Sequence, residues 1–308
     1  MKTKQISNGL WFDKEAEEAA KFYTAVFSNS QIKHVAQYGT EGFEIHGQPE
    51  GTVMAVEFEL AGEKFFAING GPLFKFNPSI SFYVVGETIE ETDRIWNALL
   101  DGGSVLMPYQ RYDWSEKYGW LRDKYGLTWQ IGYGKLADVG QKITPALLFV
   151  GEQCGRAEEA VNFYTSVFKD SSIDGILKQP AGGHEPEGNV AHAQFKLNGQ
   201  TFMIMESAMK EHDFTFNEAV SIIINCETQD EIDYYWEKLT ADGGQESSCG
   251  WLKDKFGVSW QVDSTALARM MKDNDKEKVA RVTNAFLRMK KFDIAKLEEA
   301  FEGHAVTR

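Results

Sequence analysis

The chain repeats itself, and this duplication limits the fold more than any other feature. Phe22-Tyr23-Thr24-Ala25-Val26-Phe27 returns as Phe163-Tyr164-Thr165-Ser166-Val167-Phe168. Gly119-Trp120-Leu121-Arg122-Asp123-Lys124-Tyr125-Gly126-Leu127-Thr128-Trp129-Gln130 returns as Gly250-Trp251-Leu252-Lys253-Asp254-Lys255-Phe256-Gly257-Val258-Ser259-Trp260-Gln261. A repeat of this length implies two copies of one domain. The 308 residues suffice for two cores of ordinary size. Copy one spans 1–134 with its repeat from Ile6 to Tyr133, copy two spans 143–263, and 264–308 belong to neither. The link Gly134–Lys142 that follows the repeat is short, so the two domains are expected to sit against each other.

Within each copy the pattern runs strand, helix, three strands, and then repeats more faintly. Leu10-Trp11-Phe12 and Ala146-Leu147-Leu148-Phe149 open the copies as apolar strands. Ala16, Ala19, Ala20, Tyr23 and Phe27 form a helix-period stripe, answered by Ala157, Ala160, Val161, Tyr164 and Phe168. Val53–Leu60 and Lys64–Asn69 read as a hairpin across Ala61-Gly62-Glu63, with a counterpart at Asn198-Gly199-Gln200. Asp101-Gly102-Gly103 and Asp242-Gly243-Gly244 are helix stops, because glycine accepts the left-handed cap conformation. The fold class is therefore α+β: four βαβββ modules, two per copy. An amphipathic helical tail follows. Val279, Val282, Phe286 and Met289 form one of its stripes, and Asp293 is placed to cap a last helix. The tail either docks on its own domains or serves as a partner-binding arm.

Charge and cysteine content narrow the function classes. A net charge of −14 without a basic face argues against nucleic acid as a partner. No stretch is long and apolar enough to span a membrane, and the first residues have no apolar run. Cys154, Cys226 and Cys249 form neither a zinc spacing nor an even disulfide set, so a reducing cytoplasm is the expected compartment.

Paired βαβββ modules, Phe-Tyr-x-x-Val-Phe and the closing Gly-Trp-Leu-x-Asp-Lys-aromatic-Gly-x-x-Trp-Gln together resemble the vicinal oxygen chelate superfamily, which includes glyoxalase I, extradiol dioxygenases and bleomycin-resistance proteins. Within it the motifs are similar to the PhnB-like group, often labelled 3-demethylubiquinone-9 3-methyltransferase. The resemblance covers about residues 6–263 and implies a cupped sheet around a cavity, often with a divalent metal. The implied ligands come from a first-strand residue, two mid-sheet residues and a last-strand Glu. The first-strand position falls near Ser7 and Thr144, and the last-strand position on Gln130 and Gln261.

Strand alternation places Gln130 and Gln261 opposite an apolar face and so toward the cup. A Gln carbonyl suits hydrogen bonding to a substrate better than holding a metal. The bland alternative is a Gln satisfying backbone or water. The mid-sheet strand offers Ala55, Glu57 and Glu59 in copy one and His192, Gln194 and Lys196 in copy two. The next strand ends at Asn69 and at Glu206. The possible divalent site is therefore His192, Glu206 and Gln261 in copy two, while Ala55, Asn69 and Gln130 leave copy one without one. Trp120 and Trp251 either wall a pocket or belong to the core. Cys249, near Lys253, reads as a plain thiol. The segment Leu106–Ser115 is present only in copy one. With Arg111 it either covers the cup as a lid that contacts an anionic ligand or packs on the second domain.

The expected function is binding of a small, partly apolar molecule, with Gln130, Gln261, Glu57, His192, Gln194, Trp120, Trp251 and Arg111 as contact residues. The alternative is a metal-dependent lyase, isomerase or dioxygenase acting in copy two. A methyltransferase follows from the family label alone, since no glycine-rich loop joins a strand to a helix: Gly70-Gly71-Pro72 leads into Leu73-Phe74-Lys75-Phe76 and reads as a turn. The partner surfaces are domain one against domain two, with a homodimer as a further possibility.

Overall fold

The repeated motif is a clasp. Asp123 Oδ2 accepts hydrogen bonds from the Tyr23 hydroxyl (2.8 Å) and Trp129 Nε1 (2.9 Å), while its Oδ1 accepts from the backbone N–H of Tyr125 and Leu127. Asp254 does the same with Tyr164, Trp260, Phe256 and Val258. Both aspartates are buried. Four donors around a buried carboxylate compensate for its desolvation, which explains why Tyr, Asp and Trp recur together.

A computed structural model describes residues 5–303. The first module is β1 (Ile6–Phe12), α1 (Ala16–Val26), β2 (Gln31–Gln37), a short α2 (Phe43–His46), β3 (Val53–Leu60) and β4 (Glu63–Asn69). The second is β5 (Ile80–Gly86), α3 (Ile89–Leu100), β6 (Ser104–Tyr112), β7 (Ser115–Arg122) and β8 (Thr128–Tyr133). The link carries α4 (Leu136–Val139). The third module is β9 (Ile143–Phe149), α5 (Ala157–Val167), β10 (Ser172–Lys178), β11 (Val190–Leu197) and β12 (Gln200–Glu206). The fourth is β13 (Val220–Cys226), α6 (Gln229–Thr240), β14 (Gln245–Glu246), β15 (Trp251–Lys253) and β16 (Ser259–Ser264). The tail holds α7 (Thr265–Met270), α8 (Lys276–Phe286) and α9 (Ile294–Glu302).

Local chemistry sets these boundaries. Thr88 and Thr228 cap α3 and α6 by accepting from Glu91 N and Glu231 N. Asp293 caps α9 through Lys296 N, as its sequence position implies. The β3–β4 and β11–β12 turns need positive φ at two successive residues, and Ala61-Gly62 and Asn198-Gly199 supply it.

The modules pair across the copies. Sheet I runs β14-β15-β16-β13-β1-β4-β3-β2, joining the first module to the fourth. Sheet II runs β10-β11-β12-β9-β5-β8-β7-β6, joining the third to the second. The seams are the antiparallel pairs β1–β13 (Gly9 opposite Ser221) and β5–β9 (Ser81 opposite Ala146). The within-copy pairing expected from chain order is therefore replaced by an exchange. Its physical reason is that alternation fixes which face is buried, not which strand is the neighbour. The clasps run the other way. Tyr23 lies in a sheet I module and Asp123 in a sheet II module; Tyr164 and Asp254 reverse this. Sheets thus bind copy to copy, and clasps bind sheet to sheet.

The tail docks on its own chain. Cys249 N and Gly250 N donate to Met289 O and Lys290 O, and Val282, Phe292 and Leu297 are buried. No helix among the described residues is long and apolar enough to cross a membrane.

Candidate functional site

In each sheet the helix-facing side holds the apolar core, including Trp129 and Trp260, and the opposite side forms a cup. Cup I is lined by residues of copy one's first half and copy two's second half: Ser7, Gly9 and Trp11 of β1, Ser221 and Asn225 of β13, Gln261 and Asp263 of β16, Glu57 of β3 and Trp251 of β15. Cup II combines Ser81 and Tyr83, Gln130, Tyr118 and Trp120 with Thr144, Ala146, Met203, His192 and Gln194.

The two floors differ in one decisive contact. In both, the Gln amide donates to a serine: Gln130 Nε2 to Ser81 Oγ and Gln261 Nε2 to Ser221 Oγ, each at 2.8 Å. In cup II the carbonyl is also spent, since the Tyr118 hydroxyl donates to Gln130 Oε1 at 2.6 Å. The repeat puts Cys249 where copy one has Tyr118. Cys249 Sγ turns to Phe286 O in the tail, and burial pushes its thiol pKa up, in keeping with a plain thiol. Among the described residues nothing donates to Gln261 Oε1.

Cup II is also filled. The link packs Val139 and Leu136 against Val85, Ala146, Met203, Tyr83 and Met205. Gln141 is buried and bonds Thr201 N and O, and Gln194 Nε2 reaches Asp138 O. At matching positions cup I is more open. Leu148, Val85, Gly132 and Met203 are buried, whereas Trp11, Asn225, Asp263 and Phe66 are half-buried.

Aromatic rings wall cup I. Trp11 and Trp251 lie on strands separated by β16 and β13, yet their ring centroids are 6.0 Å apart, edge to face. In a flat sheet three interstrand steps would separate them by about 14 Å, so the sheet curls and the side chains lean together. Phe74 lies 5.0 Å from Trp11. Gly70 allows this, because a Cβ there would meet the Trp11 ring at 2.1 Å, and Gly71 O accepts from Trp11 Nε1 at 2.8 Å. The glycine pair is thus a seat for Trp11. Gly9 has a similar role, since a Cβ would fall 2.2 Å from Ser221 Oγ and 2.8 Å from Gln261 Nε2.

The rim carries charge. Glu57 Oε2 meets Lys272 Nζ at 2.7 Å, so the tail crosses from β16 to β3 and latches there. Burial first, then the Glu57 charge, raises the Asp263 carboxyl to about 6, against one backbone hydrogen bond from Ser264 N that opposes the rise.

Several expected site residues lie elsewhere. His192, Glu206 and Gln261 do not converge. His192 lies in sheet II and Gln261 in sheet I. Glu206 points to the helix side, where its two oxygens accept from Ala157 N and Val190 N. Asn69 fills the same place in copy one, accepting from Ala16 N and donating to Val53 O. Both residues tie the start of a helix to a strand. Burial lowers the His192 pKa, which favours the neutral ring. Trp120 faces cup II beside Gln130, with its Nε1 buried and unpaired. The copy-one insertion is neither a lid nor a bridge to the second domain. It extends the β6–β7 hairpin at the edge of sheet II, with Tyr109 stacked on Trp96 of α3 at 4.5 Å and Arg111 exposed.

The donors do not fit the divalent ion that the superfamily implies. No group of three or more His, Cys, Asp or Glu among the described residues is placed to hold a metal. The floor positions hold neutral Gln and Ser oxygens, and Gln130 has both ends engaged. The sequence already held the signal that would have found cup I, the exchange of Tyr118 for Cys249 beside an unchanged Gln.

Two curled sheets assembled from four βαβββ modules define the class as the vicinal oxygen chelate superfamily. A glyoxalase I variant from Zea mays has this fold at a TM-score of 0.54, with 9% identity over 84% of this chain and 94% of that one. Residues 4–132 and 141–263 each match the family described as 3-demethylubiquinone-9 3-methyltransferase, and the chain belongs to that family in tandem form. A Bacillus cereus protein described as a putative 3-demethylubiquinone-9 3-methyltransferase, PhnB protein, is 38% identical over 44% of this chain and all of its own, with a TM-score of 0.39. The fosfomycin resistance protein FosX from Listeria monocytogenes is 14% identical over 42% of this chain and 91% of its own, at 0.31. No curated protein matches the chain.

Proposed function

We propose that the protein binds a small, partly apolar molecule in cup I, oriented by Gln261 and walled by Trp11, Trp251 and Phe74. The observation that carries this reading is the Gln261 side chain, 9% exposed and held through its amide nitrogen by Ser221 Oγ, with a carbonyl that has no donor among the described residues. A hydrogen bond from a ligand donor to that carbonyl is worth about 0.5–1.5 kcal/mol. Cup II has the corresponding Gln bonded at both ends and serves as a structural frame. Binding in this reading needs no metal, and no reaction is assigned to it.

Titration of the intact protein with small aromatic and alicyclic compounds, followed by tryptophan fluorescence, tests it. Gln261→Ala is expected to weaken a hit about tenfold, the worth of one hydrogen bond, while Gln130→Ala leaves its affinity unchanged. Equal losses in the two variants, or hits that ignore Trp11→Phe, would overturn the assignment to cup I.

A further inference from the structure

The loop that joins β2 to β3, residues 38–52, comes between the two tryptophan walls of cup I. At its base the Tyr38 hydroxyl donates to Asn69 O at 2.7 Å, next to Gly70 on which Trp11 sits. At its tip Gly42 abuts the tail, where a Cβ would fall 2.4 Å from Leu287 Cδ1. Just beyond Leu287, Met289 O and Lys290 O accept from Cys249 N and Gly250 N, at the start of the Trp251 strand. The tip is bonded to itself. Gly42 O accepts from Ile45 N and His46 N, Phe43 O from Gly47 N, and His46 lies between Glu41 O and Gln48 N. Among the described residues the hydrogen bonds of 40–48 all stay within that stretch. Its contacts outward are the Leu287 methyl and the Tyr38 ring, 4.3 Å from the His46 ring. Gly39 and Gly51 flank the tip, Gly51 in the left-handed conformation with open space around it. No residue of α2 is buried, and Phe43 and Ile45 are 55% and 62% exposed. The matching loop of copy two, 179–189, has no helix and is pinned: Glu185 accepts from Ser207 Oγ and Ala208 N, and Asn189 Nδ2 donates to Cys154 Sγ.

We infer that this loop is the lid of cup I, swinging on Gly39 and Gly51 to bring Phe43 and Ile45 down on the apolar body of a bound molecule. The inference rests on the small-molecule reading above and adds how the cup closes. In the empty protein the two side chains stand in water, and burial against a ligand gives them a partner. Glycine lets the backbone at both ends of the tip change direction without a side chain in the way. The tip keeps its own hydrogen bonds as it moves, so closure orders little that is not already ordered. It gives up only the packing on Leu287 and Tyr38. Cup II, filled by the link, has a pinned loop and no such lid.

Calorimetry on the full chain with thymol, indole and cyclohexylmethanol, each an apolar body with one donor for Gln261, supplies the probe. The double variant Phe43→Ser, Ile45→Ser is expected to keep the melting temperature of the free protein and to bind the probe about tenfold more weakly. A packing role for the pair would lower the melting temperature, and that result would overturn the lid. Chymotrypsin gives a second measurement. Saturating probe is expected to slow cleavage after Phe43 about fivefold, while cleavage after Trp114, exposed on the sheet II hairpin, keeps its rate. If the double variant binds as tightly as the parent, or if Phe43 is cut equally fast with and without probe, the lid fails and the pocket stands. If none of the three compounds binds the parent, both fail.

Discussion

Asp254 and Asp123 show how a single side chain can account for a repeated sequence. Burial raises the pKa of both, to about 6 for Asp254, yet each carboxylate is ringed by four donors. The donor geometry defines the role: replacing Asp254 with Ala strands a Tyr hydroxyl, an indole N–H and two backbone N–H groups. The expected loss is about 3–5 kcal/mol in urea unfolding, against about 1 kcal/mol for Tyr164→Phe. Asp263 has fewer partners, so its raised pKa appears as a pH effect. A carboxyl whose folded pKa lies above its ordinary value favours the protonated form in the fold. Its contribution is full below about pH 4 and is lost as pH rises through about 6. Asp263→Asn should remove that decline, leaving the variant more stable than the parent by about 1–2 kcal/mol at neutral pH after allowance for partial exposure. The two proteins should converge near pH 4 in thermal melts. At this scale the sequence was half legible. Gln130 and Gln261 were found because alternation reveals a face. Their hydroxyl partners, Ser81, Tyr118 and Ser221, sit on other strands and were not.

Elements were easier to read than their neighbours. Helix caps, glycine stops and two-residue turns are local chemistry, so α3, α6, α9 and both β-hairpins follow from short stretches of sequence. Thr228→Ala should cost about 1 kcal/mol by removing the cap that holds Glu231 N, measured as a lower urea midpoint at constant slope. Strand partners are different. β5 begins Ile-Ser-Phe and β13 begins Val-Ser-Ile, so β1 meets the same alternating pattern in either one. The pairing to β13 is decided by the whole chain and cannot be read from either strand alone. The same limit undid the metal set, because His192 and Gln261 belong to one copy and to different sheets. It also hid the purpose of the segments that follow β8 and β16. Both cross a cup and reach matching strands, the link at Gln194 and the tail at Glu57. The link is a fixed plug of apolar side chains. The tail is held at that point by one half-exposed ion pair, worth about 0–1 kcal/mol.

At the scale of the whole molecule, seams and clasps run in opposite directions, and this fixes how the protein comes apart. Separating sheet I breaks the β1–β13 ladder between copies; separating sheet II breaks β5–β9. Neither copy retains a complete eight-stranded sheet without the other. Pulling one sheet from the other instead breaks the buried Tyr23–Asp123 and Tyr164–Asp254 bonds. No cut leaves a unit with its own finished core, so the tandem copies should unfold together despite their sequence repeat. Tryptophan fluorescence and far-ultraviolet circular dichroism are expected to give coincident urea transitions. Two separated transitions would show that the seams are weaker than the clasps. The same argument applies to severed halves. Residues 1–134 alone would expose the unpaired edges of β1 and β5, which favour strand pairing with another chain. Each half is expected to self-associate in light scattering, and an equimolar mixture with 135–308 should convert to a one-to-one complex that regains cup I, since Trp11 and Gln261 come from opposite halves. Halves that stay monomeric and folded would place the finished core within a single copy and refute the exchange.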